Sequence, residues 1–397
     1  MNVLFMTSRL PFPPIGGDKL RVFNFIRHIS AKHRVTIISF LQDERELKDI
    51  GPYRSYYERL ITVPLPRVRS YLNCVTGLFS HEPLQVHYYR SARMREAVQA
   101  ELARGYDVAF CHLIRMAQYL PEHGTARQII DFTDAISQYH QRRRDFRTGW
   151  SASAIVNEIE ARRVLPFELA CMRKADVSIF ISRAEIDFYG RAAAGRRLEV
   201  VTSGIDCNEI EFSAGDYDHN RIVFMGNMRT FHNTDAAVYF ATEVLPIIRK
   251  SRPEATFHIV GNEPSRHVRR LHDGKHVVVT GFVDDVFEHM RNAAVLVAPM
   301  RVCAGVQTKV LEALALGVPV VATPMGATDF DPSVLSVADT PEGLAAATLL
   351  LMNDKAARRE HALAGRQYVE RYRTRAQVLA GLDDLLVDHP APAQSSR

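Results

Sequence analysis

The stretch RVCAGVQTKVLEALALGVPVVAT, residues 301–323, reads as a loop, a short helix and a buried strand. The spacing predicts a helix over 307–316, stopped by Gly317. Upstream, the apolar run 294–298 ends at Pro299, so the loop leaves one strand and feeds a helix that leads straight into the next, VPVVAT. Ligands of open parallel sheets sit beyond the carboxyl ends of the strands, where this loop lies. A helix opening there offers free backbone N–H groups and a partial positive charge, both of which attract phosphate. Gly305, Val306 and Thr308 lie at its mouth, and Lys309 and Glu312 follow at i and i+3 on one face. On a free surface they would form an ordinary helix pair worth roughly 0.2–0.5 kcal/mol. Beside a buried strand they read instead as a cation for phosphate and a carboxylate for hydroxyls.

The same alternation runs outward through the chain. Candidate strands lie at 2–7, 34–40, 59–63, 107–111, 127–132, 177–181 and 198–202, with an amphipathic helix at 18–31. The pattern restarts at 221–225, then gives a helix over 233–250 and strands at 256–260, 276–279 and 294–298. Apolar runs separated by helices mark parallel sheets buried on both faces. A chain of 397 residues exceeds one core. Two α/β domains in tandem are therefore expected, 1–205 and 206–375, joined through the polar stretch SGIDCNEIEFSAGDYDHN (203–220). Residues 376–397 are expected to hold a helix end and a disordered tail, HPAPAQSSR.

Composition narrows the chemistry. Hydrophobic residues at 47% and charged residues at 24% suit a soluble globular chain. The five cysteines are far apart and form no C-x-x-C pair, which argues against a disulfide framework or zinc ribbon and for a reducing, cytoplasmic setting. MNVLFMTSRLPFPP lacks the basic flank of a signal peptide, and no apolar run is long enough to span a bilayer. Residues 1–200 carry 30 Lys and Arg against 21 Asp and Glu, whereas 201–397 carry 20 against 24. Arg67, Arg69, Arg90, Arg93, Arg95 and the run Arg142–Arg144 read either as a solvated basic face or as a surface for anionic lipid or a diphosphate-bearing acceptor. No stacking aromatics interleave with them, so no nucleic-acid partner is expected. The P-loop, dinucleotide, zinc-peptidase and serine-hydrolase signatures are missing from the sequence.

The segment AGVQTKVLEALALGVPVVAT is similar to the nucleotide-sugar segment of family 4 glycosyltransferases, which read roughly E-x7-E followed by A-x-G-x-P-V-V. That resemblance implies an α/β GT-B fold, two Rossmann-like domains facing each other across a cleft, with the acceptor side in the first and the donor in the second. The second Glu of the motif falls on Glu312, implied to hold the donor ribose; Ala304 stands where the first would be. A subgroup reading G-x-Q-N-K-V-L-E-A-x-A, associated with exopolysaccharide gene clusters and PEP-CTERM sorting, looks closer, and its lysine corresponds to Lys309, an implied diphosphate ligand. RIVFMGNMRTFHNTDAAVYF (221–240) resembles the entry to the family's second domain, with Asn227 where an arginine is common, leaving Arg229 or Arg301 as implied replacements. FHIVGNEP (257–264) and VVVTGFVDDVFEHMRNAAVLVAPM (277–300) follow the family order, and the loop with Gly281 and Val283 is implied to lie along the nucleobase.

In the first domain, PFPPIGGDKLRVFNFIRHISAKHRVTIIS resembles the family's opening. Gly16 and Gly17 let backbone N–H groups approach a donor closely, although a plain turn would use them equally well. YDVAFCHLIRMAQYL (106–120) ends a strand at His112, where the family often has a histidine near the donor sugar; a capping or core histidine is the other reading. Asp131 and Asp134 end the next strand as acceptor-side candidates, one to orient or deprotonate a hydroxyl, while Asp134 would serve as well as an N-cap. The resemblance implies a retaining glycosyltransferase with His112, Lys309 and Glu312 as its catalytic set, using a nucleoside diphosphate sugar and no metal or cofactor. Its implied role is exopolysaccharide or other cell-surface glycan synthesis, and the basic first half suggests a lipid-linked or glycan acceptor and the inner-membrane surface as a partner. A nucleotide-sugar epimerase and a non-catalytic nucleotide-sugar-binding subunit remain open; Ala304 and Asn227 favour the latter.

Overall fold

The computed structural model describes residues 1–146, 152–213 and 217–387, and the expected tail from His389 lies outside the described residues. The chain divides into two units: Met1–Thr202 with the segment from Leu379 onward, and Ser203–Val378.

Among the described residues the first unit holds seven strands: β1 Asn2–Thr7, β2 Arg34–Leu41, β3 Arg59–Pro64, β4 Val108–His112, β5 Arg127–Thr133, β6 Val177–Phe180 and β7 Leu198–Val200. All pair in parallel in the order β3-β2-β1-β4-β5-β6-β7. The central strands have no solvent face, which is why β4 is buried at every position and β1 at all but its first. Phe5 stacks on Phe110 across β1 and β4 at 4.7 Å, and Phe132 on Phe180 across β5 and β6 at 4.8 Å. Helix Gly17–Ser30 buries Val22, Phe25, Ile26 and Ile29, a stripe at helical spacing. Arg21 is buried on the same helix, 6% exposed, and requires a partner.

The segment after Leu379 returns to this unit. His28 Nε2 lies 3.1 Å from Asp383, Lys32 pairs with the same carboxylate, and Arg127 Nε donates to Leu385 O at 2.9 Å. Helix Leu382–Leu386 buries Leu382, Leu385 and Leu386. The sequence pattern sets 376–397 apart as a helix end and a tail rather than joining it to the first unit, because a five-residue helix is too short to show a period.

The second unit holds β8 Asp218–Met225, β9 Thr256–Val260, β10 Val277–Gly281, β11 Ala293–Ala298, β12 Val320–Ala322 and β13 Ser336–Val337, parallel in the order β10-β9-β8-β11-β12-β13. Strand β8 begins within the stretch expected to be linker, since its polar first residues lie exposed at the sheet's margin. The helix expected over 233–250 runs as Phe231–Tyr239, a π-turn at Phe240–Val244 and a further helix Leu245–Ser251. Pro246 has no N–H to continue the α ladder at that point.

Each sheet reverses its strand order once, between β1 and β4 in the first and between β8 and β11 in the second. Loops leaving those strands diverge to opposite faces and open a crevice at the carboxyl edge, the preferred ligand position of this architecture. Beside the second reversal the floor is bare backbone: a Cβ on Gly261, just after β9, would stand 1.8 Å from Gly226 O, so that position requires glycine.

Candidate functional site

The loop after β11 is fixed before the helix begins. Thr323 Oγ1 donates to Met300 O at 2.5 Å and accepts from Gly326 N at 3.1 Å, while Cys303 Sγ reaches Met325 O at 3.5 Å. Gly305 turns the chain at φ 66°. Helix Thr308–Leu316 then opens with Gln307 at its N-cap and no side-chain cap, and ends on left-handed Gly317. Its apolar face, Val310, Leu311 and Ala313–Leu316, is buried, which holds the opposite face and the open N-terminus at the crevice.

Lys309 is drawn across this opening. Its Nζ donates to Asn233 Oδ1 at 2.7 Å and lies 4.3 Å from the Phe224 ring centre. Asn233, 6% exposed on helix Phe231–Tyr239, donates in turn to Asn227 O at 3.1 Å, so the loops after β8 and β11 are tied together at the reversal. Burial lowers the Lys309 pKa to about 7, against the opposing pull of Cys303 and Glu312. Burial likewise pushes Glu312 up to about 7, with Lys309 opposing. The half-buried Glu312 carboxylate has neither a hydrogen-bond nor an ion-pair partner among the described residues. An uncapped helix end, a desolvated ammonium and an unsatisfied carboxylate suit a ligand carrying both anionic oxygens and hydroxyl groups.

The remaining candidates of this unit lie at the same carboxyl edge. Arg301 forks onto Asp235, at 3.0 Å from Nε and 2.5 Å from Nη2, and its guanidinium carbon lies 4.5 Å from the Tyr239 ring centre. Arg229, largely exposed, stands 3.5 Å from Glu263. Both guanidinium groups offered by the sequence for a diphosphate thus have a carboxylate beside them. Gly281 ends β10 at φ 73°, followed by exposed Phe282 and half-buried Val283. Val306 is buried and Thr308 half-buried at the helix opening.

The first unit builds its site around His112, the last residue of β4. Asp131, its register partner on β5, accepts at 2.8 Å from His112 Nδ1 and takes a forked pair from Arg21, with Nη2 to Oδ1 at 2.8 Å. Arg21 Nη1 donates to Val201 O at 2.7 Å, and Thr133 adds its N–H and hydroxyl at 3.2 Å. Burial alone would raise the Asp131 pKa, but the Arg21 and His112 charges outweigh it and hold it well below the carboxylate range. The aspartate fixes which imidazole nitrogen faces it, and His112 Nε2 is left buried with no partner among the described residues. Leu113 and Thr133, immediately after His112 and beside Asp131, take positive φ angles of 70° and 65°. Non-glycine residues enter that region at a cost, of about 1–3 kcal/mol each, typical of functional sites.

Asp134 is not an N-cap: helix Ile136–Asp145 is preceded by Ala135, and no side chain caps it. The Asp134 carboxylate has no hydrogen-bond partner among the described residues, and burial, then Glu185, pushes its pKa up to about 7. Gly16 precedes helix Gly17–Ser30 at φ 95° with no side-chain cap, and a Cβ on Gly17 would meet nothing within 4 Å, so that opening has room for a ligand.

Gly16, Gly17, His112, Asp131 and Asp134 thus gather at the carboxyl edge of the first sheet, and the other nine candidates at that of the second. Sequence reasoning missed Arg21, Asn233 and Asp235, which hold Asp131, Lys309 and Arg301. Arg21 had left a trace, a lone cation in an otherwise apolar helix stripe; Asn233 and Asp235 had none, since their partners are distant in sequence. Among the described residues no group of three or more His, Cys, Asp or Glu is placed to hold a metal ion.

Residues 219–354 match a family model described as Glycosyl transferases group 1. No curated protein matches the chain by sequence. Solved structures share the fold along nearly all of it. Anabaena HepE in complex with UDP and glucose is 15% identical, covers 97% of this chain and 99% of its own, and superposes with a TM-score of 0.68. A point mutant of S. aureus TarM in complex with fondaparinux, alpha-GlcNAc-glycerol and UDP is 10% identical, covers 98% and 100%, and gives 0.68. The UDP-forming alpha,alpha-trehalose-phosphate synthase of Burkholderia vietnamiensis is 11% identical, covers 97% and 99%, and gives 0.65. The two parallel α/β sheets are those of GT-B glycosyltransferases.

Proposed function

We propose that the chain is a glycosyltransferase that moves a sugar from a nucleoside diphosphate sugar to an acceptor hydroxyl. The observation that carries this reading is the uncapped N-terminus of helix Thr308–Leu316 with Lys309 and the unpartnered Glu312 on it. The group 1 model spans these residues, and the complexes of HepE and TarM with UDP favour a uridine diphosphate donor here. In this reading Glu312 accepts from the ribose hydroxyls, while Lys309 and the helix N–H groups meet the diphosphate. Charge grows on the diphosphate oxygens as the glycosidic bond breaks, and donors already in place stabilise it without reorganising. His112 Nε2, fixed by Asp131, meets the sugar, and Asp134 stands on the acceptor side. We extend the proposal to retention of anomeric configuration, to the family 4 and exopolysaccharide-associated subgroup, and to a lipid-linked or glycan acceptor in cell-surface glycan synthesis.

Thermal denaturation with UDP, GDP, CMP and dTDP sugars tests the donor site. At a hundredfold excess over Kd the cognate donor stabilises its site by about 2.7 kcal/mol, roughly 5–10 °C in Tm for a unit of this size. Glu312→Ala removes that shift without lowering the Tm of the free protein by more than a degree or two. No shift from any of the four, on folded protein, would sink the assignment.

A second expectation follows from the pKa values of about 7 at Lys309 and Glu312. At pH 6 Glu312 is mostly protonated, and accepting from hydroxyls selects the carboxylate, so binding releases a proton. At pH 8 Lys309 is mostly neutral, and the diphosphate selects the ammonium, so binding takes one up. Each exchange approaches about 0.9 proton one unit from the pKa. Calorimetry of nucleotide-sugar binding in two buffers of different ionisation enthalpy should show the sign reverse between pH 6 and pH 8; a proton count of zero at both refutes it.

A further inference from the structure

We propose that helix Arg67–Gly77, with its extension through Leu78 and Phe79, docks the first unit onto an anionic phospholipid bilayer. The helix carries its apolar face outward. Val68, Tyr71, Leu72, Val75, Leu78 and Phe79, at i, i+3, i+4, i+7, i+10 and i+11, form one stripe; Val68 is 74% exposed and Phe79 92%. The inward face is small and polar: Ser70 and Gly77 are buried, and Asn73 Nδ2 donates to Arg90 O at 2.9 Å. Gly77 packs so closely on His87 that a Cβ would lie 2.6 Å from its ring, and Arg163 donates to Gly77 O and Leu78 O at 2.8 Å. The orientation is therefore fixed from within, and the stripe cannot turn inward to hide.

Charge selects the occupant. Among the basic residues of this region, Arg90 is paired with Glu82 and Arg95 lies over Tyr119, whereas Arg67, Arg69 and Arg93 are exposed and form no ion pair among the described residues, Arg67 only feeling the Asp43 charge at a distance. Sequence from Arg59 to His81 contains no Asp or Glu. An apolar stripe flanked by unpaired arginines matches an anionic interface, where acyl chains take the stripe and headgroups the guanidinium groups. A second copy pairing through the same face would bring Arg67 and Arg69 against their own kind. Among the described residues no helix is long and apolar enough to cross a membrane, so attachment would be from one side.

The inference does not rest on the donor chemistry, and its test uses neither donor nor acceptor. The full chain is sedimented with phosphatidylcholine vesicles, plain or with about one third phosphatidylglycerol. Binding is expected to the anionic vesicles, weakening as salt rises. Leu72→Gln with Phe79→Ser should lower the bound fraction at least about tenfold, since both side chains project into solvent and their loss leaves Tm unchanged. Arg67→Gln with Arg69→Gln should weaken binding roughly fivefold per arginine and flatten the salt response. Wild-type chain that ignores both vesicles, or variants that bind as it does, would overturn the proposal. So would a concentration-dependent dimer abolished by Leu72→Gln with Phe79→Ser in the absence of vesicle binding, which would assign the stripe to a second copy.

Discussion

Lys309→Ala is expected to cut sugar transfer about a hundredfold to a thousandfold in kcat, the loss seen when a single preorganised donor to developing negative charge is removed. The ammonium already sits at the open helix end, held at 2.7 Å by Asn233, and is desolvated enough to bring its pKa to about 7. Little of that arrangement has to change as the leaving diphosphate gathers charge. Folding should suffer little, because relief of the desolvated cation offsets the hydrogen bond that Asn233 loses, and the apolar face of the helix is untouched. Steady-state kinetics on the cognate donor, with circular dichroism as a folding control, gives the answer. A folded variant with wild-type kcat would remove Lys309 from the chemistry.

The largest stability effect should come from Asp131→Ala, at about 3–5 kcal/mol, because it strands the buried Arg21 guanidinium with only Val201 O and the Phe25 ring. For a unit of this size that is a fall in Tm on the order of 10 °C. The pH dependence carries a second signature. The native pKa of Asp131 is depressed below its unfolded value, so its contribution is complete above the unfolded pKa of about 4 and disappears as pH falls through the native one. Melting curves from neutral to acid pH should therefore converge for wild type and variant toward the lower end. A gap that stays constant with pH would mean that the aspartate's charge contributes nothing.

Much of the fold was written in local pattern. Runs such as NVLFMT and TFHIV are too apolar and β-branched for any place but a buried parallel strand, and they fall on β1 and β9 without a shift. Strand β13, two residues long, offered no period to read, and the return of the last helix to the first unit left no local mark. Candidate site residues were legible where chemistry is unusual for its place, as with Lys309 and Glu312 beside a buried strand or His112 ending β4. Partners were not, because Arg21 meets Asp131 and Asn233 meets Lys309 only after the sheets bring distant loops together. That distance also separates two aspartates that look equivalent in DFTD. The first is consumed by Arg21 and His112; the second keeps a free carboxylate.

The path of the chain has an architectural consequence. Ser203–Val378 is bounded on both sides by segments of the first unit, and its two ends are already joined: Ile205 N donates to Arg373 O and Arg375 N to Ile205 O, both at 2.9 Å. Topologically the second unit is an insertion into the first, and its entry and exit segments meet side by side at Ile205 and Thr374. A gene fragment covering 203–378 would have termini in contact, the condition under which domains survive excision, transplantation or circular permutation. The first unit has no such freedom, since a product stopped at residue 202 would lack the helix whose Asp383 receives His28 and Lys32. Recombination could therefore exchange Ser203–Val378 as a cassette while the first unit stays whole, provided both joins are made together.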